Sequence, residues 1–380
     1  MLVKFGLNPV KIYFGSLLLN SSSKEYLSVT GLNSTGQLGT GGTTNRTTFA
    51  ALQGYADRWL NFAGSASSSA AIKADGTLWA WGDPIYGQLG NNNNSTGNEK
   101  SPILINNGPW SFIECGRFFA AGIKFDGTLW MWGLNSSGQV GNGVSGSQVN
   151  SPTKIGTAKW STVSCSFGEY TMGIQTDGTL WAWGGNQYGN FGNNSWANSN
   201  VPVKIGTSTW RAISTGYGHT AAIRTDNTLW VWGLNAAGQI GDGSLTSTLM
   251  PVNLFSFVPW RSVAAAGQST FAIKADGTLW AWGGNGYGQL GDGTTTGRLS
   301  PVQIAGSWKS VSAGFGHVFA VKTDNTLWAW GLNSSGQLGD GTTVSRTSPV
   351  QIVLPNSYPT AVQCGESHTF ISTPEMVTWS

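Results

Sequence analysis

The chain has 380 residues and a formal net charge of +3, with 10 % charged residues, 55 Gly and 20 Trp. So weak a positive charge excludes a protein built to neutralise many phosphates, and nucleic acid is not an expected partner. Charged residues fall far short of the roughly 25 % of an average soluble domain, so Ser, Thr, Asn and Gly must cover the surface.

Residues 1–25 are the least regular part of the chain and read as an N-terminal extension or edge strand. The run Ile12-Tyr13-Phe14-Gly15-Ser16-Leu17-Leu18-Leu19 is too short and too interrupted for a signal peptide or a membrane span. From residue 26 to 380 one pattern recurs. A Trp-x-Trp-Gly motif ends at Gly82, Gly133, Gly184, Gly233, Gly283 and Gly331, and a degenerate copy ends at Gly31; successive glycines lie 48 to 51 residues apart. A fixed period of this size marks a repeat architecture, in which one unit does not bury its own apolar faces.

Each unit reads as strands. Asp75-Gly76, Asp126-Gly127, Asp177-Gly178 and Asp276-Gly277 are hairpin turns that need a positive φ, and Asp226-Asn227 and Asp324-Asn325 use the next-best residue. In the strand after the turn, Trp79 and Trp81 share one face and Leu78 and Ala80 the other. Both faces are apolar, so both must be covered, as in stacked propeller blades. Units open near Trp59, Trp110, Trp160, Trp210, Trp260 and Trp308, with Tyr358 in the last. That last unit stops early, with Trp379 opposite Trp328. The segment from Leu27 to Gly39 supplies what it lacks, so the two chain ends are expected to pair and close the ring. No helical periodicity is sustained anywhere.

Trp330-Gly331-Leu332-Asn333-Ser334-Ser335-Gly336-Gln337-Leu338-Gly339, together with Gly216-Tyr217-Gly218-His219-Thr220, resembles the regulator of chromosome condensation repeat. The resemblance spans residues 26–380 and implies an all-β, seven-bladed β-propeller of four-stranded blades. A second resemblance is local: Lys11-Ile12-Tyr13-Phe14-Gly15-Ser16 is similar to a Tyr-x-Gly-Ser element near the ends of bacteriophage structural proteins.

Candidate chemistry is sparse. Gly238-Gln239-Ile240-Gly241-Asp242-Gly243 has a strand after it where a phosphate loop needs a helix, so its glycines serve turn geometry. His219, His317 and His368 are read as one repeat position, held elsewhere by Ser67, Phe119, Glu169 and Thr270. Asp242, Asp292 and Asp340 share another. Equivalent places in separate blades stay apart, so neither set is a metal site, and no metal or other cofactor is expected. Cys115, Cys165 and Cys364 are read at a position that wants a small side chain, filled elsewhere by Ala63, Thr215, Ala266 and Ala313, and are expected as buried free thiols. No nucleophile has a base marked out beside it, so the chain is read as no enzyme.

Single-copy aromatics are the better binding candidates. Leu254, Phe255 and Phe257 stand where other units have Gly-Thr, and Trp196 and Tyr55 fall in loops. The reading is a non-enzymatic protein-binding or structural propeller with a protein partner, first of all a phage virion component such as a tail, fibre or decoration protein. One alternative, implied by the family, is guanine nucleotide exchange on a small GTPase; the even spacing leaves little room for the wedge that such exchange uses. Another is recognition of a glycan or host surface. The protein is expected in the virion if viral and in the cytoplasm otherwise.

Overall fold

The structure is a computed structural model that describes residues 26–52, 58–95, 97–355 and 357–374. The 1–25 extension with its Tyr-x-Gly-Ser element, Tyr55 and Trp379 lie outside the described residues. Those residues form strands, turns and loops and contain no helix, hence none long and apolar enough to cross a membrane.

The Asp-Gly-Thr-Leu-Trp motif makes its hairpin through a relay. Gly76 sits at φ 82 and Asn227 at φ 69. The Asp75 carboxylate accepts the backbone N–H and the hydroxyl of Thr77, and the Thr77 hydroxyl accepts the indole N–H of Trp79. The same relay recurs at Asp126, Asp177, Asp226, Asp276 and Asp324. It fixes both the turn and the orientation of the first Trp of each pair.

The second Trp joins neighbouring sheets. Trp330 is fully buried, and its indole N–H donates to the Gln289 carbonyl, one unit earlier, at 2.7 Å. Trp81 makes the same bond to Gln37, Trp132 to Gln88 and Trp282 to Gln239. A Cβ on Gly291 would lie 2.7 Å from the Trp330 indole nitrogen, so the Gly of Gln-Leu-Gly makes room for this indole. The Asn of the motif clamps the loop it begins. Asn333 donates to Asp340, Thr342 and Val344 and accepts the N–H of Leu338. Pro84 takes that place in the second unit and has no amide to do so.

The strands run antiparallel in four sheets of four and one of ten. In the ten-stranded sheet, Val149–Cys165 and Ser199–Thr215 are each 17 residues long. Each pairs with one hairpin through its first part and with the next through its second, so this sheet reads as three four-stranded units joined in series. One sheet draws on both ends of the described chain: Tyr26–Gly31 lies between Arg46–Ala51 and His368–Thr373, and Ala361–Cys364 completes it. The innermost strands of successive sheets touch, and Ala361–Cys364 touches Trp59–Gly64.

Strand register corrects three readings. The residues opposite Gly82, Gly184 and Gly283 are Ser68, Tyr170 and Ser269, so these, with Phe119, hold the place of His219 in the other units, in place of the expected Ser67, Glu169 and Thr270. The cysteine place is held by Gly64 and Ala265, not Ala63 and Ala266. Tyr358 does not replace the unit-opening Trp. It is 52 % exposed and outside any strand, while Pro359, 51 residues after Trp308, is buried.

Candidate functional site

At one end of the strands, the turns between each innermost strand and the next converge. Arg117, Phe167, Tyr217, Gln268, Phe315 and Glu366, one from each of six such turns, line a cavity of about 350 Å³. Backbone bonds tie the turns of neighbouring units together: Ala66 N–H to Arg117, Arg117 N–H to Ser166, Tyr217 N–H to Gly267, Phe315 N–H to Glu366 and Glu366 N–H to Ser65. The wall is therefore rigid while its side chains differ.

Arg117 Nε stands 3.5 Å from Glu366 Oε2, and the guanidinium lies 5.2 Å from the Phe118 ring centroid. Phe118 in turn stacks on Tyr86 at 4.9 Å, and Tyr217 neighbours Tyr188 at 6.3 Å. Burial pushes the Glu366 carboxyl up, against the pull of Arg117. Deeper along the same axis a space of about 140 Å³ runs among the innermost strands, past Glu114, Ser164, Ser214, Ser312 and Gln363. The Ser164, Ser214 and Ser312 hydroxyls accept the backbone N–H of Thr215, Ala265 and Cys364 in the next four-stranded unit, so this level builds the fold.

At the opposite end, Phe255 and Phe257 follow the strand Thr248–Leu254. Both adopt left-handed backbone, φ 58 and 78. Phe257 is 98 % exposed; Phe255 is 46 % exposed, with its ring 6.1 Å from Trp260. Leu254, expected beside them as a binding residue, is buried. It pairs with Leu229 and is only 6 % exposed within the core, because the strand's alternation turns it inward. Trp196 is 65 % exposed, but it lies in the loop after Thr179–Gly184, at the end of the strands away from Phe257. Of the expected residues, then, the structure brings Phe255 and Phe257 together and leaves Trp196 apart.

The three histidines are structural bridges. His219, His317 and His368 are fully buried, and each Nε2 reaches a hydroxyl of the next sheet: Thr270, Thr369 and Ser69, at 2.9 to 3.0 Å. Those hydroxyls donate onward to the carbonyls of Gln239, Gln337 and Gln37, so they must accept from the ring. This fixes Nε2–H as the donor and leaves each Nδ1 without a hydrogen-bond partner among the described residues. Burial drives all three pKa values down to about 3. Tyr170 fills the same place in its unit and reaches across likewise, donating to the His219 carbonyl at 2.6 Å. Among the described residues no three His, Cys, Asp or Glu are gathered to hold a metal. Cys115 and Cys165 are buried, and burial pushes the Cys364 thiol up to about 12, far from a thiolate nucleophile.

Residues 75–123, 126–170, 177–223, 226–273, 276–321 and 324–372 match the regulator of chromosome condensation (RCC1) repeat. The chain belongs to the RCC1 repeat family. It is 30 % identical over 175 residues to the ultraviolet-B receptor UVR8 of Arabidopsis thaliana, covering 43 % of this chain and 38 % of the receptor. It is 33 % identical over 134 residues to an RCC2 homologue of Danio rerio, covering 34 % of this chain and 27 % of that protein. The matched stretch thus spans well under half of each of these relatives. Human WBSCR16 is similar in structure with a TM-score of 0.83 at 20 % identity, over 93 % of this chain and 100 % of that one. Prp20p of Saccharomyces cerevisiae, described with its binding to Gsp1p and histones, has a TM-score of 0.82 at 19 % identity, over 94 % and 93 %. These structural likenesses speak for the fold, that of an RCC1-type propeller. The mouth cavity and the Phe255–Phe257 loop are where this member departs from its own repeat.

Proposed function

We propose that the chain is a non-enzymatic, protein-binding RCC1 propeller of the regulator kind. In this reading seven four-stranded blades close into a ring through the pairing of Tyr26–Gly31 with His368–Thr373, and the ring presents Phe255 and Phe257 to a protein partner. The observation that carries the binding role is the pair of left-handed phenylalanines. A bulky L-residue held at positive φ costs of order 1–3 kcal/mol, and such strain gathers at functional sites. Here it holds a phenyl ring almost wholly in water, which does nothing for folding and suits a ring that waits for a partner's pocket.

A small GTPase is the first partner to test. Prp20p, with the same fold, is described as binding Gsp1p, and the Phe255–Phe257 loop offers a short projecting element where the even repeat spacing leaves no room for a long one. This replaces the virion reading, whose sequence support lies at residues 11–16, outside the described part, and which the relatives do not support. Recognition of glycan through Trp196 likewise has no support from them.

Binding of GDP-loaded and nucleotide-free small GTPases, with release of a fluorescent guanine nucleotide as the second readout, tests this directly. Phe257→Ala is expected to weaken binding at least about tenfold, as loss of a central aromatic contact does, and to leave the melting temperature unchanged, since the ring packs on nothing. Trp196→Ala should leave binding intact. Equal affinity of wild type and Phe257→Ala would remove the loop from the interface, and failure to bind any small GTPase would discard the GTPase reading.

A further inference from the structure

The mouth cavity is independent of the Phe255–Phe257 loop: it lies at the other end of the strands and draws on different turns. Three aromatic side chains, Phe167, Tyr217 and Phe315, stand on its wall with one carboxylate, that of Glu366. The carboxylate is poorly served. Among the described residues no hydrogen bond reaches its buried Oε2, and Arg117 Nε remains at 3.5 Å, longer than the 2.7–2.9 Å of a charge-assisted hydrogen bond. The Arg117 side chain is the more exposed of the pair, 44 % accessible against 21 % for Glu366. It also has another place to rest, because Phe118, backed by Tyr86, already lies under its guanidinium.

We propose that this cavity is a receptor for an arginine side chain of a protein partner, which takes Glu366 from Arg117 and stacks among Phe167, Tyr217 and Phe315. The chemistry of the lining selects the class. Aromatic faces attract a cation, a planar guanidinium stacks on them better than an ammonium does, and its fork matches a carboxylate with two parallel bonds. The resident group in this cavity is already a guanidinium, so the lining accommodates that shape. Arg117 then acts as an internal competitor that keeps the buried carboxylate paired until the partner arrives and moves onto Phe118 when it is displaced. An anion has one cation here, Arg117, and must lie beside the Glu366 carboxylate.

The competitor role gives opposite signs for two substitutions. The probe is N-acetyl-arginine amide, titrated into the full chain and followed by NMR at the backbone amides of Tyr217, Phe315 and Glu366, with N-acetyl-lysine amide and inorganic phosphate in parallel. Wild type is expected to bind the arginine probe in the millimolar range, several-fold more tightly than the lysine probe, and not to bind phosphate at the same amides. Arg117→Ala is expected to tighten the arginine probe about five- to tenfold, and Glu366→Gln to weaken it at least tenfold. Glu366→Gln keeps the size of the side chain, and an unchanged spectrum away from the mouth separates loss of binding from loss of fold. The proposal is overturned if Arg117→Ala weakens the arginine probe, if Glu366→Gln binds it as wild type does, or if phosphate binds and Arg117→Ala abolishes that binding. Saturation of Tyr217 and Phe315 by neither cationic probe at 100-fold the expected concentration would also overturn it. None of these outcomes depends on whether the Phe255–Phe257 loop meets a GTPase.

Discussion

Val29→Asp is expected to lower the melting temperature by about 5–10 °C, whereas the same change at exposed Val353 leaves it nearly unmoved. Val29 is fully buried in the middle strand of the sheet made from both chain ends, opposite Phe370 on one side and Ala50 on the other. It packs with Leu27, Trp59, Phe62, Trp81 and Phe370, residues of its own sheet and of the next. On the other flank of the same sheet, Phe49 and Ile371 pack with Phe319 and Leu327. A carboxylate at Val29 loses this packing and has no cation in reach within the cluster, a combination worth several kcal/mol. For a chain of this length each kcal/mol moves the midpoint by little more than about 1 °C, which sets the size of the shift. Thermal unfolding by circular dichroism decides it. Equal melting of the Val29 and Val353 variants would mean that this strand is not integral to the fold.

Acid is expected to unfold the protein steeply, with a midpoint near pH 4–5. Each of His219, His317 and His368 has its pKa lowered from 6.5 to about 3 by burial, with a donor but no acceptor role open to it. A group whose folded pKa is depressed stays neutral in the native protein while the unfolded chain takes up a proton. Stability is therefore complete above pH 6.5 and is lost as the pH falls from there toward 3. Each histidine removes roughly 1.4 kcal/mol per pH unit in that window, so three remove about 4, and two units of pH consume a loss comparable to the whole stability of an ordinary domain. The turn carboxylates act in the same direction at lower pH. Asp75, Asp126, Asp177, Asp226, Asp276 and Asp324 are held below their usual range first by the hydroxyl of the Thr two residues on, and that contribution disappears as they protonate. Replacing all three histidines by Gln keeps an amide donor for the neighbouring hydroxyl and removes the titration. Urea unfolding at several pH values should then show a slope of stability against pH flatter by about three protons between pH 4 and 6. An unaltered slope in the triple variant would show that the histidines are not what acid attacks.

Much of this fold is legible because the repeated residues are the ones that build it. The Asp-Gly-Thr-Leu-Trp relay, the Trp indole bonded to a Gln carbonyl one unit earlier and the Asn clamp all recur, so the period, the strands and the pairing of the early Leu27–Gly31 segment with the last unit can be read from the sequence. Single-residue register is harder. The turn before Tyr170 is one residue longer than those before His219 and Ser68, and all three differ in composition, so a count across them slips by one, and in a strand one residue is the difference between two faces. Leu254 shows the same limit, since an apolar run before a loop does not say which of its members the strand turns inward. The mouth cavity left a fainter trace. Arg117, Phe167, Tyr217, Gln268, Phe315 and Glu366 come from six turns about 50 residues apart, and only Phe167 and Phe315 share a residue type. Their signal is the reverse of a motif: a variable residue that follows a Gly in five of the six turns and Ser166 in the other, in turns that the fold gathers at one place.

Native-state hydrogen exchange measured along the whole chain tests the central claim, a ring closed by its own ends, most directly. The paired amides of Tyr26–Gly31 and His368–Thr373 are expected to exchange only through global unfolding, with the same protection as the interior strands Leu279–Gly283 and Leu327–Gly331. Exchange of Tyr26–Gly31 by local fraying, at rates far above those of Leu327–Gly331, would contradict the closed ring and leave an open array of blades.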